Sequence, residues 1–231
     1  MGKAVIIACD FANKKELYGF LDKFNGESLF LKVGMELFYA EGAGIVKELK
    51  ARGHKIFLDL KLHDIPNTVK GAMKVLSKLN VDIINVHASG TMDMMAAAKS
   101  AFDGMEKRPL IIAVTQLTST DEETMRSELL INAQIETVVV KYAQNSQKSG
   151  LDGVVCSPKE VTLIKERCGK SFITVTPGIR FSGNAADDQK RITTPGDAKL
   201  LGSDYIVVGR PITAAEDAVK AYRRCCEEFL G

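Results

Sequence analysis

Short apolar runs recur along the chain, and most segments between them carry apolar residues three and four positions apart. The runs Ala4–Cys9, Leu29–Val33, Lys55–Leu60, Ile83–His87, Leu110–Val114, Gly153–Cys156, Phe172–Thr176 and Tyr205–Val208 are rich in Val and Ile and alternate little with polar residues. That is the pattern of parallel strands buried on both faces. Leu17, Phe20, Leu21 and Phe24 share one helical face, with Asn13 placed to cap its start, Glu16 three residues on and Gly26 beyond its end. Val69, Ala72, Met73 and Leu76 repeat the spacing, and Ile212, Ala215 and Val219 begin the last such face. Ser157-Pro158-Lys159-Glu160 reads as a capping box with proline at the first helical position. Eight strand-then-helix units predict an α/β fold, a single (β/α)8 TIM barrel over residues 1–231, in preference to an open doubly wound sheet. Right-handed crossovers would then bring every strand's C-terminal end to one rim.

Composition narrows the function. At 231 residues, with no Pro/Ser-rich linker or charge run, the chain suits one barrel. A net charge of +2 with interspersed signs gives no electrostatic footprint for nucleic acid or an anionic membrane. Low aromatic content and the absence of Trp argue against a base-stacking platform. The apolar runs are too short to span a bilayer, and Met1-Gly2-Lys3 leads directly into a strand, so no signal peptide is expected. Five scattered cysteines, Cys9, Cys156, Cys168, Cys225 and Cys226, suit a reducing cytoplasm. The three histidines and these cysteines form no metal-ligand spacing, and no cofactor motif is evident.

Candidate chemistry collects where the strands end. Asp10, Lys32, Asp59, Lys61, His87, Thr118, Pro177 and Arg210 all fall at or just past predicted strand C-termini, although chance would spread polar residues over both rims. Asp59 and Lys61 share one side of a strand by alternation, and Asp64 follows where the strand should have ended. This predicts two carboxylates and an ammonium packed together, holding one another ionised. For Asp-x-Lys alone, an ion pair closing a strand is the structural alternative. The connection over 178–194 is long, and in such barrels the loops after strands seven and eight often bind phosphate. Gln189 and the Gly209-Arg210 pair lie there, the arginine offering a planar fork for phosphate oxygens. Arg180 could approach a phosphate or stabilise the loop. Asp10 could accept sugar hydroxyl protons or cap a helix. His87 ends a buried strand and reads better as a satisfied core histidine than as a base.

The string Asp59-Leu60-Lys61-Leu62-His63-Asp64-Ile65-Pro66-Asn67-Thr68 resembles the active-site signature of orotidine 5'-monophosphate decarboxylases. Ala8-Cys9-Asp10, Lys32-Val33-Gly34, Val86-His87-Ala88, Val114–Ser119, Thr176–Arg180, Asp188–Arg191 and Val208–Ile212 are similar to further pieces of that family's pattern, in the same order. The resemblance implies cofactor-free removal of carbon dioxide from C6 of a pyrimidine nucleotide, with no metal. Lys32, Asp59, Lys61 and Asp64 would be catalytic, and Lys61 would stabilise and protonate a C6 carbanion. Asp10 and Thr68 would bind the ribose and Thr118 the pyrimidine edge. Ile65 and Pro177 would complete the substrate site. Gln189, Gly209 and Arg210 would hold the phosphate, with Arg180 as above. The resemblance also implies a homodimer in which Asp64, Ile65 and Thr68 complete the neighbouring site. Rival readings are a magnesium-dependent phosphosugar decarboxylase with a similar Asp-x-Lys-x-x-Asp, a metal-dependent pentose-phosphate epimerase, and a silent phosphate-binding barrel.

Overall fold

The computed structural model of the protein describes residues 2–182 and 193–231. Strands β1 (Ala4–Ala8), β2 (Phe30–Gly34), β3 (Lys55–Leu62), β4 (Ile83–His87), β5 (Leu110–Val114), β6 (Gly153–Val155), β7 (Ile173–Thr176) and β8 (Tyr205–Val208) form a closed barrel in chain order. Every pairing is parallel, including the closure of β8 on β1. The expected (β/α)8 fold is therefore observed. Around the sheet lie α1 (Lys14–Leu21), α2 (Met35–Ala51), α3 (Pro66–Leu76), α4 (Thr91–Ser100), α5 (Glu122–Ser127), α6 (Ile135–Lys148), α7 (Val161–Cys168), α8 (Pro195–Leu200), α9 (Arg210–Thr213) and α10 (Ala218–Leu230). No described helix is long and apolar enough to cross a membrane.

Two apolar layers follow from the period-two alternation of strands buried on both faces. One side of the strands packs on the helices: Ile7, Leu31, Val33, Ile56, Leu58, Ile84, Val86, Ile111 and Ala113 join Leu17, Phe20, Leu37, Val69 and Met73. The other side fills the barrel with Ile6, Phe30, Phe57, Ile83, Ile112, Val175, Tyr205 and Val207. Local signals act as read. Asn13 Oδ1 accepts from Glu16 N at 3.1 Å and caps α1. Glu160 accepts from the Ser157 backbone N–H at 2.8 Å, although the turn after proline is a short 3-10 segment that leads into α7.

The N-terminal rim is sealed by a repeated device. Asp82, Asp152 and Asp204 precede β4, β6 and β8, and each accepts the second backbone N–H of the preceding strand: Ile56, Ile111 and Thr174, each at 2.8 Å. Each also pairs with a cation: Lys50 at 2.7 Å, Arg108 at 2.6 Å and Lys165 at 2.5 Å. These charges satisfy strand ends and one another, so the rim closes within the chain.

Candidate active site

Following the inward face of β2, β3 and β4 toward the C-terminal rim, apolar positions give way to polar ones. Phe30 is followed by Lys32, Phe57 by Asp59, and Ile83 by Asn85, each pair two residues apart on a strand. Parallel strands place these polar positions in one layer above the apolar filling. Lys32 Nζ lies 2.9 Å from Asp10 Oδ1 and 3.6 Å from Asp59 Oδ2, and Lys61 Nζ lies 2.8 Å from Asp59 Oδ1. The result is an alternating chain, Asp10–Lys32–Asp59–Lys61.

Burial sharpens these charges. The side chains of Lys32 and Asp59 are each 11% exposed, against 59% for Asp10. Burial alone would favour the neutral form of Asp59. Lys32, Lys61 and the hydrogen bonds from Lys61 and Asn85 outweigh it and hold the carboxyl below its ordinary range. Burial likewise opposes the Lys32 charge, but Asp59 and Asp10 raise its pKa above the usual lysine value. The pair is ionised at neutral pH. Gly34 makes room for it: a Cβ there would sit 3.1 Å from Lys32 Nζ and 3.2 Å from Asp10 Oδ1.

Lys61 reaches its place by an unexpected route. Its φ is +51°, a left-handed conformation uncommon for a residue with a side chain. The β3–β4 register shifts between Leu58 and Leu62, so a bulge aims the side chain. Simple alternation gave the correct face, but the strand is not regular there and runs two residues past the expected end at Leu60.

Two adjoining cavities open above this layer. One, about 210 Å³, is lined by Lys32, Asp59, Lys61, Gln116, Thr118 and Cys156, among others. The second, about 360 Å³, is lined by Asp10, Lys32, Arg180, Gly209, Arg210 and Thr213, among others. Lys32, Pro177 and Val207 border both, so the charge array sits between a compact chamber and an arginine-flanked one. At Gly209 a Cβ would meet only Ala8 Cβ, at an ordinary 3.5 Å, so the chain's own packing does not demand glycine there. Among the described residues no cluster of three or more His, Cys, Asp or Glu could hold a metal ion.

The structure brings Lys32, Asp59, Lys61, Asp10, Thr118, Pro177, Arg180, Gly209 and Arg210 to this double cavity. It does not bring Asp64, Ile65 or Thr68. The expectation that Asp64 packs beside Asp59 and Lys61 fails within one chain. Past Leu62 the backbone turns outward, and Asp64 Oδ1 accepts from the next N–H, Ile65, at 2.6 Å. Asp64 and Ile65 line a shallow groove with Ser89, Gly90 and Thr91, and Asp64, Ile65 and Thr68 are exposed. Asp10 is not a helix cap, since Asn13 takes that position. Arg180 has a place in the loop and on the cavity wall. It lines the larger cavity, and its Nη1 donates to Ile179 O at 2.9 Å, while the bridge Ile179–Thr193 ties the ends of the connection. Gln189 lies outside the described residues. His87 is structurally engaged: its Nδ1 accepts from Ser89 N at 3.3 Å, its ring stacks on His63, and burial lowers its pKa.

Sequence reasoning missed Asn85, Gln116 and Cys156. Asn85 had a signal: it is the one polar residue inside the run Ile83–Val86. Gln116 and Cys156 lay at or just past predicted strand ends, but which strand-end residues face the chamber depends on where β5 and β6 stop.

Comparison with known proteins gives the family. Residues 3–225 match the profile of the family described as Orotidine 5'-phosphate decarboxylase / HUMPS. An orotidine 5'-phosphate decarboxylase of Bacillus cytotoxicus is 53% identical, covering 100% of this chain and 99% of the relative. One from Streptococcus suis is 56% identical, covering 97% and 96%. The crystal structure of orotidine 5'-phosphate decarboxylase from Lactobacillus acidophilus superposes with a TM-score of 0.88 at 41% identity, covering 99% of this chain and 100% of that one. With the family profile spanning nearly the whole barrel and these relatives aligned over almost their full length, the chain belongs to the orotidine 5'-phosphate decarboxylase / HUMPS family.

Proposed function

We propose that this protein decarboxylates orotidine 5'-monophosphate to uridine 5'-monophosphate in the cytoplasm, without a cofactor, with residues 1–231 acting as one catalytic barrel. The observation that carries this reading is the buried Lys32–Asp59–Lys61 array between the two cavities. The smaller cavity takes the pyrimidine against Thr118 and Pro177. Asp10 accepts from the ribose hydroxyls, and Gly209, Arg210, Arg180 and Gln189 receive the phosphate.

Reaction chemistry follows from charge. Asp59 lies near the departing carboxylate, and the crowding of two anions is relieved as neutral carbon dioxide leaves. The C6–carboxyl bond breaks, its electron pair stays on C6, and the Lys61 ammonium stabilises that charge and then donates a proton to C6. Lys32 holds Asp59 in place and reaches toward the ribose. Binding of the remote phosphate supplies energy for orienting the base. Asp64, Ile65 and Thr68, exposed here, complete the site of a second subunit in a homodimer, where Asp64 supports Lys61.

The test is loss of orotidine 5'-monophosphate ultraviolet absorbance on adding purified protein after exhaustive chelation. Turnover should persist undiminished. Strict dependence on added magnesium would sink the mechanism and favour a metal-dependent phosphosugar enzyme.

A further inference from the structure

We infer that Asn85 is a positioning residue for this reaction, a single amide that sets both the rotation of the Asp59 carboxylate and the backbone from which Lys61 projects. The inference rests on the decarboxylase reading and goes beyond it.

Asn85 is fully buried on the inward face of β4, between Ile83 and His87 in the alternation. A buried amide must satisfy both of its ends. Its Nδ2 donates to Asp59 Oδ1 at 2.7 Å, and its Oδ1 accepts from the Lys61 backbone N–H at 2.8 Å. The flipped amide would set oxygen against carboxylate and N–H against N–H, so this orientation is the one chemistry allows.

The two bonds act on different parts of the array. Asp59 Oδ1 receives Asn85 and the Lys61 ammonium together, which leaves Oδ2 turned to Lys32. Meanwhile the register shift between Leu58 and Leu62 interrupts the β3–β4 ladder where Lys61 sits at φ +51°. Asn85 gives that N–H the acceptor which the interrupted ladder lacks, and so holds the bulge in the shape that aims Lys61. A leucine could fill the space but satisfy neither bond. An ionised aspartate could accept from Lys61 N–H but would oppose Asp59.

The last point supplies the test. In Asn85→Asp the two carboxyls face each other and share a proton as pH falls, which restores a donor to Asp59. Steady-state kinetics of the intact wild type and Asn85→Asp, from about pH 8 to about pH 5, should show a kcat deficit of about a hundredfold at the alkaline end, the scale of small misplacements of reacting groups. That deficit, taken as a ratio to wild type, should shrink as pH falls. Asn85→Ala should show a pH-independent deficit, with uridine 5'-monophosphate bound within about threefold of wild type, since its loss falls on kcat and not on ground-state binding. A ratio flat with pH for Asn85→Asp, or losses confined to KM, would overturn the inference. So would failure of both variants to fold, which would assign Asn85 to the fold alone. If the wild type itself does not turn over orotidine 5'-monophosphate, the proposed function fails and this inference, which rests on it, falls with it; a working wild type with the overturning results above sinks the inference alone.

Discussion

At the N-terminal rim, Asp82, Asp152 and Asp204 each satisfy a strand N–H and a nearby cation. At the C-terminal rim, Asp59 has side-chain partners instead: Lys32, Lys61 and Asn85. Both rims also carry a cavity, about 420 Å³ at the N-terminal end, where the lining residues Asp82 and Arg108 are already engaged in ion pairs. The contrast teaches what buried charge does in each place. One set finishes the backbone and is spent on stability. The other is stacked in alternating sign beneath open cavities, where it can act on a ligand. Past the end of β3, Asp64, Ile65 and Thr68 are exposed, and Asp64 and Ile65 line a separate shallow groove.

If this division holds, variants at the two rims should fail differently. Lys61→Ala should lower kcat by roughly a thousandfold or more, because the proposed mechanism uses its charge mainly in the transition state. Product binding, measured by calorimetry, should remain detectable, and the melting temperature should stay close to wild type. A near-normal kcat with only a raised KM would break the assignment.

The proposed sharing of sites between two subunits is tested by mixing two inactive variants, Lys61→Ala and Asp64→Ala, unfolded and refolded together. About half the dimers formed by random pairing are mixed, and each has one site with both groups restored, so roughly a quarter of wild-type activity should return. If activity stays at the level of the separate variants once subunit exchange is confirmed, Asp64 serves its own subunit.

At the lower rim, Asp152→Ala should cost about 1–3 kcal/mol, since it leaves the Ile111 N–H and the Arg108 guanidinium without their carboxylate. For a chain of this length that is a fall of about 3–10 °C in melting temperature. Activity per folded molecule should be unchanged; a large loss of kcat at permissive temperature would erase the distinction between the rims.

Gly34→Ala sharpens the comparison at the smallest scale. The φ of −89° suits alanine, so no backbone strain arises, but the new methyl group crowds Lys32 and Asp10. A three- to tenfold drop in kcat/KM, roughly what a few tenths of an ångström at the array should cost, is expected with little change in melting temperature. Unaltered kinetics would show that the Lys32–Asp10 contact yields freely.

Much of this architecture is legible in the sequence. All eight strands fall within two residues of their expected ends, because burial on both faces writes a continuous apolar run into each one. Lys32, Asp59 and Lys61 were legible as neighbours because alternation and strand-end position are local properties, fixed by the period of the backbone. Asp64 was not: three residues past Lys61 the strand has ended, and nothing local says whether the chain then turns toward the array or away.

What the sequence by itself determined is thus the set of strands, their order around the barrel, and the rim on which the reactive side chains collect. Tertiary structure decided the rest. The left-handed backbone of Lys61 depends on how β3 slips against β4. The Asn85 clamp joins residues 24 and 26 positions apart. The turn past Leu62 leaves Asp64 exposed in a groove apart from the array. Each is a relation between strands or past a strand's end, and a pattern that runs along one strand records which way a side chain points but not what waits there to meet it.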